Sequence, residues 1–406
     1  MEEFRRGGDL LNRPPHEANV AEQTEHSING GGLKFDYFSP NEKHRFNVFA
    51  SAQHINRDSY YGGGQDPNAY GNTTDLNWMA GSQYVYSFGK CIFMPADLTA
   101  GIEFNQDKLE DNMWGYHRTV DQKVNIGSAF FQNEWKNEHW GFLIGGRLDK
   151  HNLIDHVIFS PRANLRYNPT ENINLRFSYS SGFRAPQAFD EDLHVENVGG
   201  NVAMVELADN LKEERSQSLS ASADIYHRFG AFQVNFLVEG FYTKLSDVFA
   251  LTDGEVVDGI LTRTRYNAPG ARVMGLTLEG KMAYLTKFQV QAGVTLQQSH
   301  YSEPHVWNKE APAVKKMMRT PNTYGYFTAT YTPIKPLSIA LSGTYTGSML
   351  VPHEPVPGFL EKPITVNTKD FFDIGLKAAY DFKLYKSMNL QVNLSLIHIS
   401  EPTRRS

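Results

Sequence analysis

"NINLRFSYSSGFRAPQAF", residues 172–189, decides how the rest of the chain is read. Ile173, Leu175, Phe177 and Tyr179 alternate with Asn174, Arg176, Ser178 and Ser180, and the run stops at a Gly-Phe-Arg-Ala-Pro turn. Successive side chains on a β-strand point to opposite faces, so one face here is apolar and the other polar. The polar face requires water. The apolar face meets either a dry protein core or the acyl chains of a membrane, and the two answers give different folds.

The same alternation recurs from end to end. Leu33, Phe35 and Tyr37 alternate with Lys34 and Asp36, and Leu98, Ala100, Ile102 and Phe104 with Thr99, Gly101, Glu103 and Asn105. Phe159 to Tyr167, Phe232 to Val238, Met274 to Met282, Phe288 to Leu296, Leu337 to Tyr345 and Phe372 to Ala378 repeat it. Roughly sixteen such segments of about 9–13 residues can be drawn, those near 75–88 and 123–136 being the least regular. Helical periodicity never persists beyond two or three turns. From about residue 90 the connections alternate in length. Thr-Glu-Asn, Gly-Ala and Thr-Lys turns are followed by long loops at about 184–215, 252–271, 302–322 and 351–370.

Strands in soluble sheets average ~5–6 residues, whereas ~9–11 residues tilted by ~45° cross a bilayer. Short turns on one rim and long loops on the other describe an outer-membrane barrel. Lipid offers no hydrogen bonds, so such a sheet has to close. The apolar faces are nearly free of charge at their centres, where a cation would cost about 2–4 kcal/mol. The polar faces suit either the solvent side of a sandwich or a wet lumen. Trp135, Trp140, Tyr167, Tyr242, Tyr284, Tyr331, Tyr345 and Tyr380 sit near segment ends, as interfacial girdles or through the ordinary β-propensity of aromatics. The fold class expected is all-β, a transmembrane antiparallel barrel.

Composition narrows the alternatives. The 406 residues carry 39 Lys and Arg against 45 Asp and Glu, a net charge of -6, with no basic block for nucleic acid. Cys91 is the single cysteine, so internal disulfides are excluded and a cysteine zinc site is not expected. A mean hydropathy of -0.45 suits a soluble protein, but a β-barrel also escapes hydropathy. The first residues, through His26, contain Pro-Pro and no apolar core of a signal peptide. They belong either to a cytoplasmic protein or to the interior of a longer chain.

Metal, phosphate and nucleophile motifs are weak. His16-Glu17 and His353-Glu354 lack a second histidine at helical spacing. Asp66-x-Asn68-x-x-Gly71 departs from a calcium loop at Tyr70 and Asn77 and reads as an Asp-Pro-Asn turn. GGGQ at 62–65 opens no helix, and no nucleophile elbow is present. No enzyme activity, cofactor or resident metal is expected.

At Gly182, Phe183, Arg184, Ala185 and Pro186, followed by FDEDLH at 189–194, the chain resembles TonB-dependent outer-membrane receptors. The returning segment, Asn210 to Ser216, is similar to the family's N-P-x-L-K-P-E-x-S but lacks both prolines. YYGGGQDPNAYGNTTD at 60–75 and HVENVGG at 194–200 are similar to receptors of Bacteroidetes type. The resemblance implies a barrel of about 22 strands around a plug. If the short turns are periplasmic, the segment near 28–38 descends and that near 388–393 ascends, matching the sixth and the twenty-first of about 22 strands. The plug, five strands before and one after would then be missing. On this reading 1–27 is a partial extracellular loop, 28–393 an incomplete barrel and 394–406 a non-native tail. LSLIHISEPTR from Leu394 is similar to the translation of a transposon-end sequencing adapter, although LSLI keeps the alternation of a strand.

The resemblance implies energy-dependent uptake of a scarce nutrient, a siderophore-iron or cobalamin-like ligand, across the outer membrane of a Gram-negative bacterium. Implied partners are membrane lipid, lipopolysaccharide and, through the plug, the TonB energy-coupling complex. Tyr60, Tyr61, Gln65, Arg184, Asp190, Asp192, His194 and Trp307 are ligand-contact candidates in the loops, or else serve loop packing or lipopolysaccharide contact. Arg162, Arg166, Arg176, Glu239, Glu279 and Lys281 are expected to line the lumen, facing a plug or holding mutual salt bridges. The other readings are a passive porin, which an upstream plug sequence would exclude, and a soluble β-rich glycan-binding protein or hydrolase, which heat-modifiable migration from outer membranes would exclude.

Overall fold

A computed structural model describes residues 2–6, 13–116, 118–186, 202–251, 255–257, 260–353, 360–385 and 388–400. The strands begin with β1 (Glu2–Arg6), β2 (Val20–Phe38), β3 (His44–Gly63), β4 (Tyr70–Cys91), β5 (Met94–Met113), β6 (Arg118–Lys136), β7 (Trp140–His151), β8 (Ile158–Thr170) and β9 (Ile173–Arg184). They continue with β10 (Val202–Leu207), β11 (Glu214–Phe229), β12 (Phe232–Ser246), β13 (Val248–Leu251), β14 (Glu255–Val257), β15 (Ile260–Ala268), β16 (Ala271–Tyr284) and β17 (Phe288–His305). The last are β18 (Val314–Lys316), β19 (Thr323–Ile334), β20 (Leu337–Thr346), β21 (Leu350–His353), β22 (Ile364–Asn367), β23 (Phe371–Tyr385) and β24 (Met388–Ser400). Among the described residues the helical elements are two 3-10 turns, Pro15–Glu17 and Trp114–Tyr116. No helix there is long and apolar enough to cross a membrane, which leaves crossing by strands open.

The long strands β2–β9, β11, β12, β16, β17, β19, β20, β23 and β24 form one antiparallel meander, with β1 and β18 completing an 18-stranded sheet. Each pairs with its neighbour along the chain, as short β-hairpin connections allow. The sheet is open: among the described residues no pairing joins β24 to β1 or β2. At one rim every connection is a short turn; at the other the connections after β3, β5 and β7 are also short, and those after β9, β12, β17 and β20 are long loops.

Burial is inverted relative to a soluble protein. Thr73, Thr99, Asp111, Ser128, Asp149, Thr295 and Ser299 are buried, and register places all of them on the concave polar face. Apolar side chains of the other face are exposed, including Leu33 at 83 %, Ile102 at 63 % and Phe177 at 48 %. An aromatic row marks the lower edge of that face near the short turns. Trp140 stacks on Tyr167 with centroids 4.2 Å apart, and Phe232 meets Tyr284 at 4.6 Å. Tyr242 lies on the same face of β12, ten positions above Phe232. Ten residues at ~3.3 Å with ~45° tilt rise about 23 Å, close to the ~25 Å apolar band of such barrels.

The polar face is tied by cross-strand bonds. Arg147 donates to Glu103 at 2.9 Å and to Asp149 at 2.8 Å, and Ser128 donates to Asp149 at 2.7 Å, joining β5, β6 and β7. Glycines on this face receive the ring of the opposite residue. A Cβ on Gly293 would stand 2.7 Å from the Tyr326 ring, and Tyr326 donates to Glu279. Gly293→Val is therefore expected to push the ring off Glu279 and destabilise by about 1–3 kcal/mol. The denaturant midpoint of the heat-modifiable band reads this, and an unchanged midpoint would show that the ring yields freely.

Two features differ from the sequence expectation. Strands β2 to β6 run to 19–22 residues, and β2 starts at Val20 rather than near residue 28. Their upper rungs are polar on both faces (Glu22, Gln23, Thr24, Glu25), as suits a ladder rising beyond lipid. The irregular segments near 75–88 and 123–136 lie within β4 and β6. Leu394–Ser400 continues β24, its apolar alternation kept through Leu394 and Leu396.

Candidate functional site: a cationic pocket on the long-loop rim

The loop leaving β9 and the loop leaving β12 stand on either side of the β11–β12 hairpin and fold together above it. β10 pairs in parallel with β15, while β13 and β14 pair antiparallel with β15. Asn267 clamps the arrangement. Its side chain accepts from Lys212 N–H at 2.8 Å and donates to the carbonyls of Lys212 at 3.0 Å and Asp247 at 2.8 Å. The Ala208 amide donates to the Arg265 carbonyl at 3.0 Å.

This small sheet closes a cavity of about 240 Å³ against the end of β17. Arg184, Phe249, Arg263, Arg265, His305 and Trp307 line it. Two guanidiniums lie against the Phe249 ring, Arg184 at 4.8 Å and Arg265 at 5.9 Å from its centroid, contacts each worth roughly 0.5–2 kcal/mol as desolvation increases. Arg184 also pairs with Glu214 at 3.3 Å, and the same carboxylate accepts from Phe249 N–H at 3.0 Å. Arg265 is 2 % exposed. The buried Trp307 Nε1 has no hydrogen-bond partner among the described residues. At the last residue of β17, burial pushes His305 below the ordinary histidine value. The pocket thus brings together guanidiniums, an aromatic face and an N–H donor with no partner among the described residues, groups whose chemistry suits an anionic, partly aromatic solute.

Glu213 anchors the return into β11. It is buried, accepts from Arg215 at 2.8 Å and contacts His156 Nε2 at 3.0 Å. Burial works to raise its pKa, but hydrogen bonds from Arg215, its own amide and His156 prevail and hold the carboxyl below its ordinary value. Such a group contributes stability that is present above the unfolded pKa and lost as pH falls through the folded one. The anchor should therefore persist from pH 7 to 5 and release only below the usual carboxylate range. Amide protection across Leu211–Arg215, corrected for intrinsic exchange, checks this, and release well above the usual carboxylate range would contradict it.

Of the loop candidates, Arg184 and Trp307 are brought together in the pocket. Tyr60, Tyr61 and Gln65 lie elsewhere on the rim, β4 to β8 intervening between them and Arg184. Tyr60 is 1 % exposed, packs with Ala18, Ala21 and Ala69, and donates to the Asp66 carbonyl at 2.9 Å. Tyr61 is buried, and exposed Gln65 donates to the Glu17 carbonyl at 3.0 Å. Asp190, Asp192 and His194 fall outside the described residues. Asp66 accepts from the Asn68 amide at 2.8 Å, an Asx turn, and among the described residues no acidic, His or Cys cluster could hold a metal.

Register places Arg162, Arg166, Arg176, Glu239, Glu279 and Lys281 on the polar face. Glu279 pairs with Lys281 at 2.7 Å, whereas Arg166 and Arg176 stand opposite each other on β8 and β9. Phe249, Arg263, Arg265 and His305 were not anticipated. The one local signal was TRTR at 262–265, an alternating run inside what reads as a loop.

The meander, its two unequal rims and its exposed apolar belt define the fold, and sequence comparison assigns the family. A family model for the TonB dependent receptor-like beta-barrel matches residues 5–395. The chain belongs to the TonB-dependent receptor family. Its members are Gram-negative outer-membrane proteins, and the receptor's exposed apolar face is accordingly its lipid face. Solved structures share the fold. The siderophore receptor PirA from Acinetobacter baumannii is 14 % identical with a TM-score of 0.64, covering 90 % of this chain and 57 % of its own. The outer membrane transporter YddB from Escherichia coli is 9 % identical with a TM-score of 0.69, covering 93 % and 59 %. The FrpB iron transporter from Neisseria meningitidis is 14 % identical with a TM-score of 0.66, covering 97 % and 63 %. The receptor chain therefore spans about three-fifths of the length of these structures. No curated protein sequence matches it.

Proposed function

We propose that this chain is the barrel wall and outer rim of a receptor that captures a scarce anionic nutrient for energy-dependent uptake. The observation that carries the reading is the rim pocket, lined by Arg184, Arg263, Arg265 and Trp307, with the Arg184 and Arg265 guanidiniums against the Phe249 ring. Guanidiniums recognise carboxylates and catecholates by paired hydrogen bonds and stack on flat ligands, which favours an iron–siderophore chelate over a cobalamin-like corrinoid. A siderophore receptor and an iron transporter among the structural neighbours support the same class.

In this reading 28–393 is part of a larger barrel, a plug and the TonB energy-coupling complex complete the transport path, and 394–406 is non-native. The reading includes no bond-making or bond-breaking step. The full-length receptor, titrated with anionic ferric chelates by intrinsic tryptophan quenching, is expected to bind one at micromolar concentration or below. Failure of every anionic chelate to bind would overturn the proposal. The chain alone, reconstituted in planar bilayers, is expected to give no discrete conductance because, among the described residues, its sheet has two unpaired edges. Steady unitary steps would show that it closes by itself.

A further inference from the structure

We infer that Glu214 is a positioning residue of the rim pocket: it sets the Arg184 guanidinium against the Phe249 ring, and anion affinity depends on it although its own charge is negative. This rests on the capture of an anionic solute proposed above. Arg184 closes β9 and Glu214 opens β11, and register places the two opposite each other. Both continue the polar face of Arg176 and Ser222 by the two-residue period. One carboxylate oxygen, Oε2, serves both halves of the stack. It accepts from Arg184 Nη2 at 3.3 Å and from the Phe249 amide at 3.0 Å. Cation and ring reach the pocket on different segments, Arg184 on a barrel strand and Phe249 on the loop leaving β12. Glu214 ties these segments together at the point where the guanidinium meets the ring.

The carboxylate is itself held in place. Its side chain is only 16 % exposed. Its neighbour Glu213 is buried and bound by Arg215 and by His156 of the β7–β8 loop, which fixes the backbone that carries Glu214. On the other side Asp247, at φ 55° between β12 and β13, turns the chain out of the barrel sheet and into the loop sheet. Asp tolerates that left-handed conformation better than most side chains. The turn brings the Phe249 amide to Glu214. A carboxylate at the wall of a pocket lined by cations repels an incoming anion, so charge alone predicts that removing it strengthens binding. Positioning predicts the reverse. The five N–H donors of a guanidinium lie in one plane, and stacking and paired hydrogen bonds both need that plane set. A side chain ordered only when the ligand arrives loses rotamer freedom at that step, and affinity falls accordingly.

The test titrates the full-length receptor with ferric tris(catecholate), an anionic aromatic probe, and follows amide exchange at Phe249 in the same samples. Glu214→Ala is expected to weaken binding about tenfold and to expose the Phe249 amide. Glu214→Gln keeps an oxygen acceptor at the same reach without the charge, so it should protect the amide and bind within about twofold of the parent. Glu214→Asp keeps the charge but falls one methylene short, and should weaken binding as alanine does. These two variants carry the comparison if the alanine variant does not reach the heat-modifiable fold. In an Arg184→Gln background Glu214→Ala should change affinity by less than about twofold, because the group it positions is gone, whereas a general role in loop stability would act equally in both backgrounds. The inference is overturned if Glu214→Ala or Glu214→Asp binds as tightly as the parent, if Glu214→Gln is as weak as alanine, or if the alanine effect persists without Arg184. If the parent binds no anionic chelate, the capture reading fails by itself and amide exchange decides the positioning role. Protection lost with alanine and kept with glutamine supports it, and protection unchanged with alanine overturns it.

Discussion

Arginine placed along the lipid-facing residues of β12 should cost most at the centre and little at the rim. Phe236→Arg and Val238→Arg lie near mid-band, between Phe232 and Tyr242, and each is expected to destabilise by about 2–4 kcal/mol. Tyr242→Arg, next to Lys244, should cost about 0–1 kcal/mol beyond the loss of the aromatic anchor. Asn235→Arg, on the lumen side below Phe236, loses the hydrogen bond Asn235 donates to Asp224 but keeps its charge in water, and should cost no more than about 1 kcal/mol. The readout is the urea midpoint of the full-length receptor in lipid. A soluble core would penalise all buried apolar positions regardless of height, so a flat profile would count against a membrane wall.

The second large effect concerns the rim. A guanidinium–anion hydrogen bond contributes about 1.5–3 kcal/mol, so Arg184→Gln or Arg265→Gln should weaken chelate binding about tenfold to a hundredfold. Arg265→Lys keeps the charge but loses the flat fork over Phe249, and should recover only part of the affinity. Arg265 is buried in the small loop sheet, so its replacement also risks the loop itself. Trp307→Phe avoids that problem, removing an N–H that bonds to nothing among the described residues. If Trp307→Phe lowers affinity while the loop sheet keeps its amide protection, the donor serves the ligand. If affinity is unchanged, the tryptophan serves packing only.

The barrel strands were legible because lipid on one side and water on the other impose a strict two-residue period, as in Ile173 to Ser180. That signal fades where both faces meet water. The upper rungs of β2 to β6 therefore went unread, although they continue the same ladder. The loop sheet was illegible for another reason. β10 and β15 belong to different loops, and nothing local in Val202–Leu207 announces a parallel partner at Ile260. The pocket inherits this. Arg184 and Trp307 could be singled out by residue type and position, but Phe249, Arg265 and His305 join them only through non-local pairing. Tyr60 illustrates the converse, since a loop aromatic can be consumed by packing when small residues such as Ala18, Ala21 and Ala69 leave it room.

Site-directed labelling along β9 tests most directly which side of the sheet meets hydrocarbon. With Cys91 replaced by serine, single cysteines at 174 to 179 in the full-length receptor can carry a spin label in lipid vesicles. Labels at Leu175, Phe177 and Tyr179 should be accessible to oxygen dissolved in the acyl layer, and those at Asn174, Arg176 and Ser178 to a water-soluble nickel chelate. Alternation in the opposite phase, or uniform access by the aqueous reagent, would contradict the account.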